Sequence, residues 1–311
     1  MNLDEFVLKY AVLLSKRNSI KQKKLVLTAI HHDFGALGYD VKGITEKRKG
    51  RVSLNIQIGD LPHAKTLVVA PYDMPPRRFF SKGYHPFREE DSFLQKLFSE
   101  NILALGTFAI ALALFLITSN INAILSYVVL GVFTALILGL TFVYPIGLSC
   151  NYTANKNNSA LAVMLTMAET LKGKKDIAFV LLDHVSLNHH GELMLSTLLK
   201  KSGLNPLVIY LDCVGYGNAA IVSGSLENQG LAKHLTSLAD ETLRFETKTY
   251  DHNEILSSAL NRFPKSLYIS VGILKEKHWS VPKVRTSKDN EINDVVIQSV
   301  SRVLYEGLQN K

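Results

Sequence analysis

Cysteine is scarce: the 311 residues carry two, Cys150 and Cys213. Set far apart, they build no disulfide framework and lack the paired spacing of a structural zinc site. A reducing compartment is the simpler reading. The first ten residues, MNLDEFVLKY, have an amphipathic pattern that includes Asp4 and Glu5 and no signal-peptide core. Internal repeats and low-complexity linkers are absent. There is no Gly-x-Ser-x-Gly elbow and no phosphate-binding loop; GYGN at 215–218 lacks the third glycine and the helix of a dinucleotide site. The net charge is +8, but lysine and arginine are scattered, with no basic helical stripe carrying interleaved aromatics, so nucleic acid is not an expected partner.

Charge itself is missing from one long stretch. No charged residue lies between Glu100 and Lys156, and within that gap two apolar runs, 102–118 and 123–149, are separated by the polar turn Ser119 to Asn122. Runs that approach or exceed about 20 apolar residues suit a bilayer crossing. So short a turn brings the second helix straight back, and the expectation is a two-pass transmembrane hairpin. Arg77, Arg78, Lys82 and Arg88 precede it and the turn has no basic residue, which places both termini and the soluble domain on the cytoplasmic side of a cell membrane. Gly106, Gly131 and Gly139 suit close approach of the two helices or of an integral-membrane partner.

The remainder alternates helix and strand, the pattern of an α/β sheet covered on both faces. Helices are expected at 3–16, 19–37, 157–171, 190–201, from Ser225 to about Leu243, around 254–260, and at 289–308. Strands are expected at 52–58, 66–70, 177–182, 207–211, 219–222 and 267–271. The division is therefore 1–98, the first part of the α/β domain; 99–149, the hairpin; and 150–311, the second part. An insertion of this kind is best tolerated in a loop.

Chemistry in open α/β sheets collects at the carboxyl ends of strands. Here those ends read Pro71-Tyr72-Asp73, Asp183-His184-Val185-Ser186 and Asp212-Cys213-Val214-Gly215. Asn155-Lys156-Asn157-Asn158-Ser159 opens a helix, and Arg285-Thr286-Ser287-Lys288-Asp289 precedes the last one. In their order these segments resemble the clan MH zinc exopeptidases, the aminopeptidase-type fold family that includes the glutaminyl cyclases. The resemblance spans about residues 20–98 and 150–308. It implies a three-layer mixed sheet flanked by helices.

Carried over residue by residue, the resemblance also implies a degenerate site. Pro71 stands where the family has a zinc-binding histidine, while Asp73 keeps a carboxylate beside it. Lys156 replaces the aspartate that bridges two metals. Val185 and Ser186 stand at the general-base and ligand glutamates, Asp212 keeps a ligand position, Asp251-His252 matches an Asp-His segment, and Arg285 replaces the last metal-binding histidine. Lysine and arginine repel a divalent ion, and no agent is left to activate water. The expectation is that Lys156 and Arg285 pair with Asp73 and Asp212, because a carboxylate and an ammonium about 4 Å apart attract by about 4 kcal/mol at a near-surface dielectric.

Histidines offer the competing reading, a rebuilt zinc site from Asp212, His184 and His252. Adjacent His189 and His190 point in different directions on a helix; His278, and His31 and His32, read as surface or loop residues. Ser186 and His184 make no recognised nucleophile pair, and Cys150 and Cys213 read as packing residues. The leading expectation is thus a membrane-anchored pseudo-peptidase without catalytic residues or cofactor, acting by binding or scaffolding with a peptide or an integral-membrane partner. The alternatives are an active zinc-dependent aminopeptidase with atypical ligands and, behind it, an acyl-transfer enzyme resembling glutaminyl cyclase.

Overall fold

The computed structural model describes residues 2–48, 51–75, 83–86, 93–147, 150, 152–171, 174–185, 189–249, 258–276 and 278–309. Its centre is a mixed sheet, described in nine strands: β1 Val41–Arg48, β2 Arg51–Ile58, β3 Thr66–Pro71, β4 Ile177–Leu182, β5 Leu207–Leu211, β6 Ala219–Gly224, β7 Arg244–Thr247, β8 Ser266–Lys275 and β9 His278–Ser280. The spatial order is β1-β2-β4-β3-β5-β8-β6-β7, with β9 paired to β8. β4, β3, β5 and β8 run parallel. β2 is antiparallel to β4 and β6 to β8.

The parallel centre explains the apolar runs at 177–182 and 207–211. Strands covered on both faces need no polar alternation, and every residue of β3, β4 and β5 is buried. The pleat sends Val68 and Ala70 to one core with Phe179 and Leu181, and Leu67 and Val69 to the other with Val180 and Leu182. Helices α1 (Leu3–Phe6, continuing as a π-helix through Leu13), α2 (Ile20–Ala36), α5 (Ser159–Thr170), α7 (Gln229–Ser237) and the closing α8 (Asp294–Gln309) supply the first core. α6 (His190–Lys201) and the turn Ala259–Asn261 cover the second face.

α2 begins where the sequence directs it. Ser19 and Gln22 form a capping box, each side chain bonded to the other's backbone N–H. The buried stripe of this helix is Lys23, Val26, Ile30 and Phe34, residues spaced three and four apart, so a lysine lies in line with the apolar contacts.

Several expected boundaries move. β1 was not expected, because an edge strand with a mostly exposed VKGITEKR carries little apolar pattern. The helix expected from Ser225 to Leu243 is shorter, ending at Ser237, and β7 follows it. The last helix starts at Asp294 rather than Asp289, since residues 283–289 fold as turns in which Thr286 N–H donates to the Lys283 carbonyl and Asp289 N–H to that of Thr286. Most of the helix expected at 254–260 lies outside the described residues.

Two further helices, α3 (Phe93–Ser119) and α4 (Ala123–Gly147), form an antiparallel hairpin packed on itself. Their side chains are described for 105–119 and 123–139. Ala111 and Ser126 are buried, whereas Phe108, Ile117, Ile124 and Tyr127 are exposed. The two expected membrane spans meet this finding: among the described residues no helix is long and apolar enough to cross a membrane.

Candidate functional site

Three neighbouring parallel strands, β4, β3 and β5, each end in an aspartate shortly after their last paired residue: Asp183, Asp73 and Asp212. All three are at most 2% exposed. A buried carboxylate is costly unless charge and hydrogen bonds answer it. The chain answers each in a different way.

Asp212 follows β5, and its N–H donates to the Ile269 carbonyl of β8. Lys156 Nζ donates to both carboxylate oxygens, at 2.6 and 2.7 Å. The hydroxyls of Tyr84 and Tyr268 each donate to Oδ2 at 2.7 Å, and Cys213 Sγ–H reaches Oδ1 at 3.2 Å. The Lys156 ammonium also sits 4.0 Å from the centre of the Tyr84 ring. Burial works against both charges; Lys156 and its hydrogen bond then hold the Asp212 carboxyl below its usual range, and Asp212 holds the Lys156 ammonium well above its own. Burial and the Asp212 charge push the Cys213 thiol up, so it stays protonated.

Lys156 is delivered by a π-helical turn, Ala154–Asn158, that precedes α5. The carboxylate of Asp289 fixes this turn by accepting from the N–H groups of Asn155, at 2.9 Å, and Lys156, at 3.3 Å. Burial pushes the Asp289 carboxyl up to about 7 despite those bonds and the charge of Lys156. Asn155 Oδ1 receives the Gly215 N–H, and Ser159 Oγ the Val214 N–H, tying the turn to the loop after β5.

Asp73 has Arg17 as a cation acting on it. The buried Arg17 guanidinium donates to the carbonyls of Tyr72, Tyr10 and Leu14 and to Asn158 Oδ1. Its pKa falls to about 10 on burial, against the opposing influence of Tyr72, Tyr10 and Asp73. Asn157 Nδ2 donates to the Asp73 carbonyl.

Asp183 has Lys23, whose Nζ lies 2.6 Å from Oδ2 with both side chains buried. The N–H groups of Leu54 and His184 donate to the same carboxylate, each at 2.9 Å. Lys23 also meets His184 Nε2 at 2.9 Å. An ammonium only donates, so a neutral His184 accepts there and carries its proton on Nδ1. That nitrogen lies 2.7 Å from Ser53 Oγ, which lies 2.7 Å from His190 Nδ1. Lys23, His184, Ser53 and His190 are thus linked by successive contacts, with Glu46 3.5 Å from His190 Nε2. Glycine is required at 191, where a Cβ would run into the Asp183 carbonyl.

Of the four residues expected to form an ion-pair knot, the structure brings together Lys156 and Asp212. The ammonium on Asp212 is that of Lys156. Arg285 occupies a left-handed backbone position, φ 62°, in the turn before α8. Pro71 is the buried last residue of β3, and Val185 packs against the second core. Ser186, Asp251 and His252 lie outside the described residues. His184 joins Lys23 and Ser53, and is not a partner of Asp212. His189 faces Glu192, at 3.1 Å, while His190 faces Ser53. Cys150 and Cys213 are buried and unpaired with each other.

Sequence reasoning missed Arg17, Lys23, Tyr84 and Tyr268. Lys23 carried a signal, its place in the apolar stripe of α2. Arg17 and Tyr84 carried none, since each sits in an irregular segment.

The donor set around Asp212 does not suit a divalent metal. Both oxygens of Asp212 are taken by an ammonium, and a divalent cation would have to share that place with a positive charge. Among the described residues no group of three or more His, Cys, Asp or Glu is arranged to hold a metal ion.

No protein-family model matches the chain, and no curated protein matches it in sequence. Solved structures do match. A glutaminyl cyclase from Porphyromonas gingivalis is 15% identical with a TM-score of 0.58, over 93% of this chain and 90% of that one. A Zn-dependent exopeptidase from Parabacteroides distasonis is 12% identical, TM-score 0.59, over 99% and 95%. The LapA aminopeptidase of Legionella pneumophila is 12% identical, TM-score 0.55, over 98% and 67%. The chain therefore has the mixed α/β, aminopeptidase-like fold that it shares with glutaminyl cyclases and Zn-dependent exopeptidases.

Proposed function

We propose that this chain is a membrane-anchored, aminopeptidase-like pseudo-peptidase that acts by binding or scaffolding, with a peptide or an integral-membrane partner as its target. The observation that carries the reading is the Lys156 ammonium seated on both oxygens of Asp212. A hydrolase of this fold needs an ion there to polarise a carbonyl and activate water; an ammonium with its protons committed to a carboxylate does neither. The positions of the general base and its neighbouring ligand hold Val185 and Ser186.

Metal analysis of the detergent-purified full-length protein, paired with an aminopeptidase assay with and without chelator, tests the proposal. The expected result is a folded protein without stoichiometric zinc or chelator-sensitive turnover. Stoichiometric zinc with turnover that a chelator abolishes overturns it in favour of an aminopeptidase using atypical ligands such as Asp212, His184 and His252.

Anchoring by the α3–α4 hairpin is the second part of the proposal. Support comes from the charge-free sequence from Asn101 to Asn155 and from the apolar side chains exposed around both helices, Phe108 and Ile110 on α3 and Val128 and Val132 on α4 among them. Exposed apolar surface on this scale calls for a non-aqueous neighbour. The orientation proposed puts both termini and the α/β body in the cytoplasm. A tag in the Ser119 to Asn122 turn is then inaccessible from the side that reaches the termini; equal accessibility from that side overturns the anchor.

A further inference from the structure

We infer that Asp212 and the Tyr84 ring form an ammonium-binding cage, that Lys156 is its built-in ligand, and that the filled cage latches the stretch leading to the hairpin onto the α/β body. The chemical class the cage takes is a primary ammonium. Two carboxylate oxygens at 2.6 and 2.7 Å accept its N–H groups, and an aromatic face 4.0 Å away meets the same positive charge. A carboxylate alone accepts many donors, but a carboxylate and a π-face converging on one small tetrahedral cation select for it.

Tyr84 makes the cage a latch. It belongs to the short described segment Gly83 to Pro86, which lies between β3 and α3 in the chain. Its backbone exchanges two hydrogen bonds with Val281, at 2.8 and 2.9 Å, and its hydroxyl donates to Asp212. Gly83 allows the approach: its φ is 108°, and a Cβ there would press on Ser280. The same ammonium thus attracts one residue of the sheet and one residue of the stretch that leads to the hairpin. His85 of the same segment meets the Trp279 ring at 6.3 Å, and at the neck Cys150 N–H donates to the Pro75 carbonyl at 3.5 Å. This inference holds whether or not the site hydrolyses peptides.

Amide exchange of the full-length protein in detergent, read at Tyr84 and Val281, tests it. Lys156→Ala removes the ammonium and leaves room for n-propylammonium, which restores the missing atoms. The expected result is exchange faster by about tenfold at both amides, as for a locally opened segment, with protection regained in millimolar n-propylammonium and not in n-propanol. Unchanged exchange in Lys156→Ala, or equal rescue by the neutral alcohol, overturns the inference. Should Lys156→Ala fail to fold, Tyr84→Ala keeps the buried ion pair and breaks the latch. Faster exchange at Val281 with unchanged protection across β4 then supports the inference, and unchanged exchange at Val281 overturns it.

Discussion

Asp212 and Asp183 sit two strands apart at the same edge of one sheet, both buried and both paired to a lysine, yet they obtain their cations by different routes. Lys156 comes from the turn beside the β5 loop, and two tyrosine hydroxyls complete the carboxylate's shell. Lys23 comes from α2, 160 residues before Asp183 in the chain, and backbone N–H groups complete that shell. A buried carboxylate at a strand end can be neutralised from a turn beside it or from a helix packed over it. The second route binds the N-terminal helix to the sheet as a by-product.

The largest effects test that equivalence. Lys156→Met and Lys23→Met each leave a buried carboxylate without its cation, which typically costs about 3–5 kcal/mol. Chemical denaturation of both variants should show losses of that size. A loss below about 1 kcal/mol for either would show that its aspartate takes up a proton or water at little cost, and the two routes would not be equivalent. The variants should differ in where they loosen: Lys156→Met at Tyr84, Lys23→Met at Leu54 and His184.

Next is a pH effect confined to the Asp212 side. The folded-state pKa of Asp289, pushed up to about 7, exceeds its unfolded value of 3.8, so the folded state binds the extra proton between those limits. Its contribution to stability is full below about pH 4 and is lost as pH rises through 7. Following the Asp289 carboxyl by NMR should show a midpoint near neutrality. A midpoint near 4 would mean that the bonds from Asn155 and Lys156 outweigh burial.

Smaller effects bracket the comparison from below. Ser19→Ala removes the cap of the helix that carries Lys23 and should cost about 1 kcal/mol by denaturation. Arg302→Ala breaks an ion pair with Asp240 whose side chains are 38% and 42% exposed; with water screening both charges the loss should be below about 1 kcal/mol. A larger loss would make burial the wrong axis for ranking these pairs.

How far the sequence foretold this arrangement depended on the element. The central strands at 177–182 and 207–211 and the helix at 190–201 were readable to the residue, because their apolar runs and periods are unambiguous. The edge strands β1 and β7 were not, since an exposed or four-residue strand leaves little pattern. Asp73, Lys156 and Asp212 were legible because each follows a strand or opens a helix. Tyr84 was not, since its place depends on a loop returning across the sheet to Val281. For Arg285 the left-handed backbone of its turn has no signature in Arg-Thr-Ser-Lys-Asp.

At Pro75 and Cys150 the chain departs from the sheet and rejoins it at one point. Between them Tyr84 pairs once more with Val281, and the chain strung beyond that contact, out to Cys150, behaves toward the strands as a closed turn. Closure entropy grows only by about 0.6 kcal/mol for each doubling of loop length, so the sheet is nearly indifferent to how much hangs from that junction. Such a junction lets an appendage be exchanged, lengthened or dropped over evolutionary time while the scaffold beneath it stays the same.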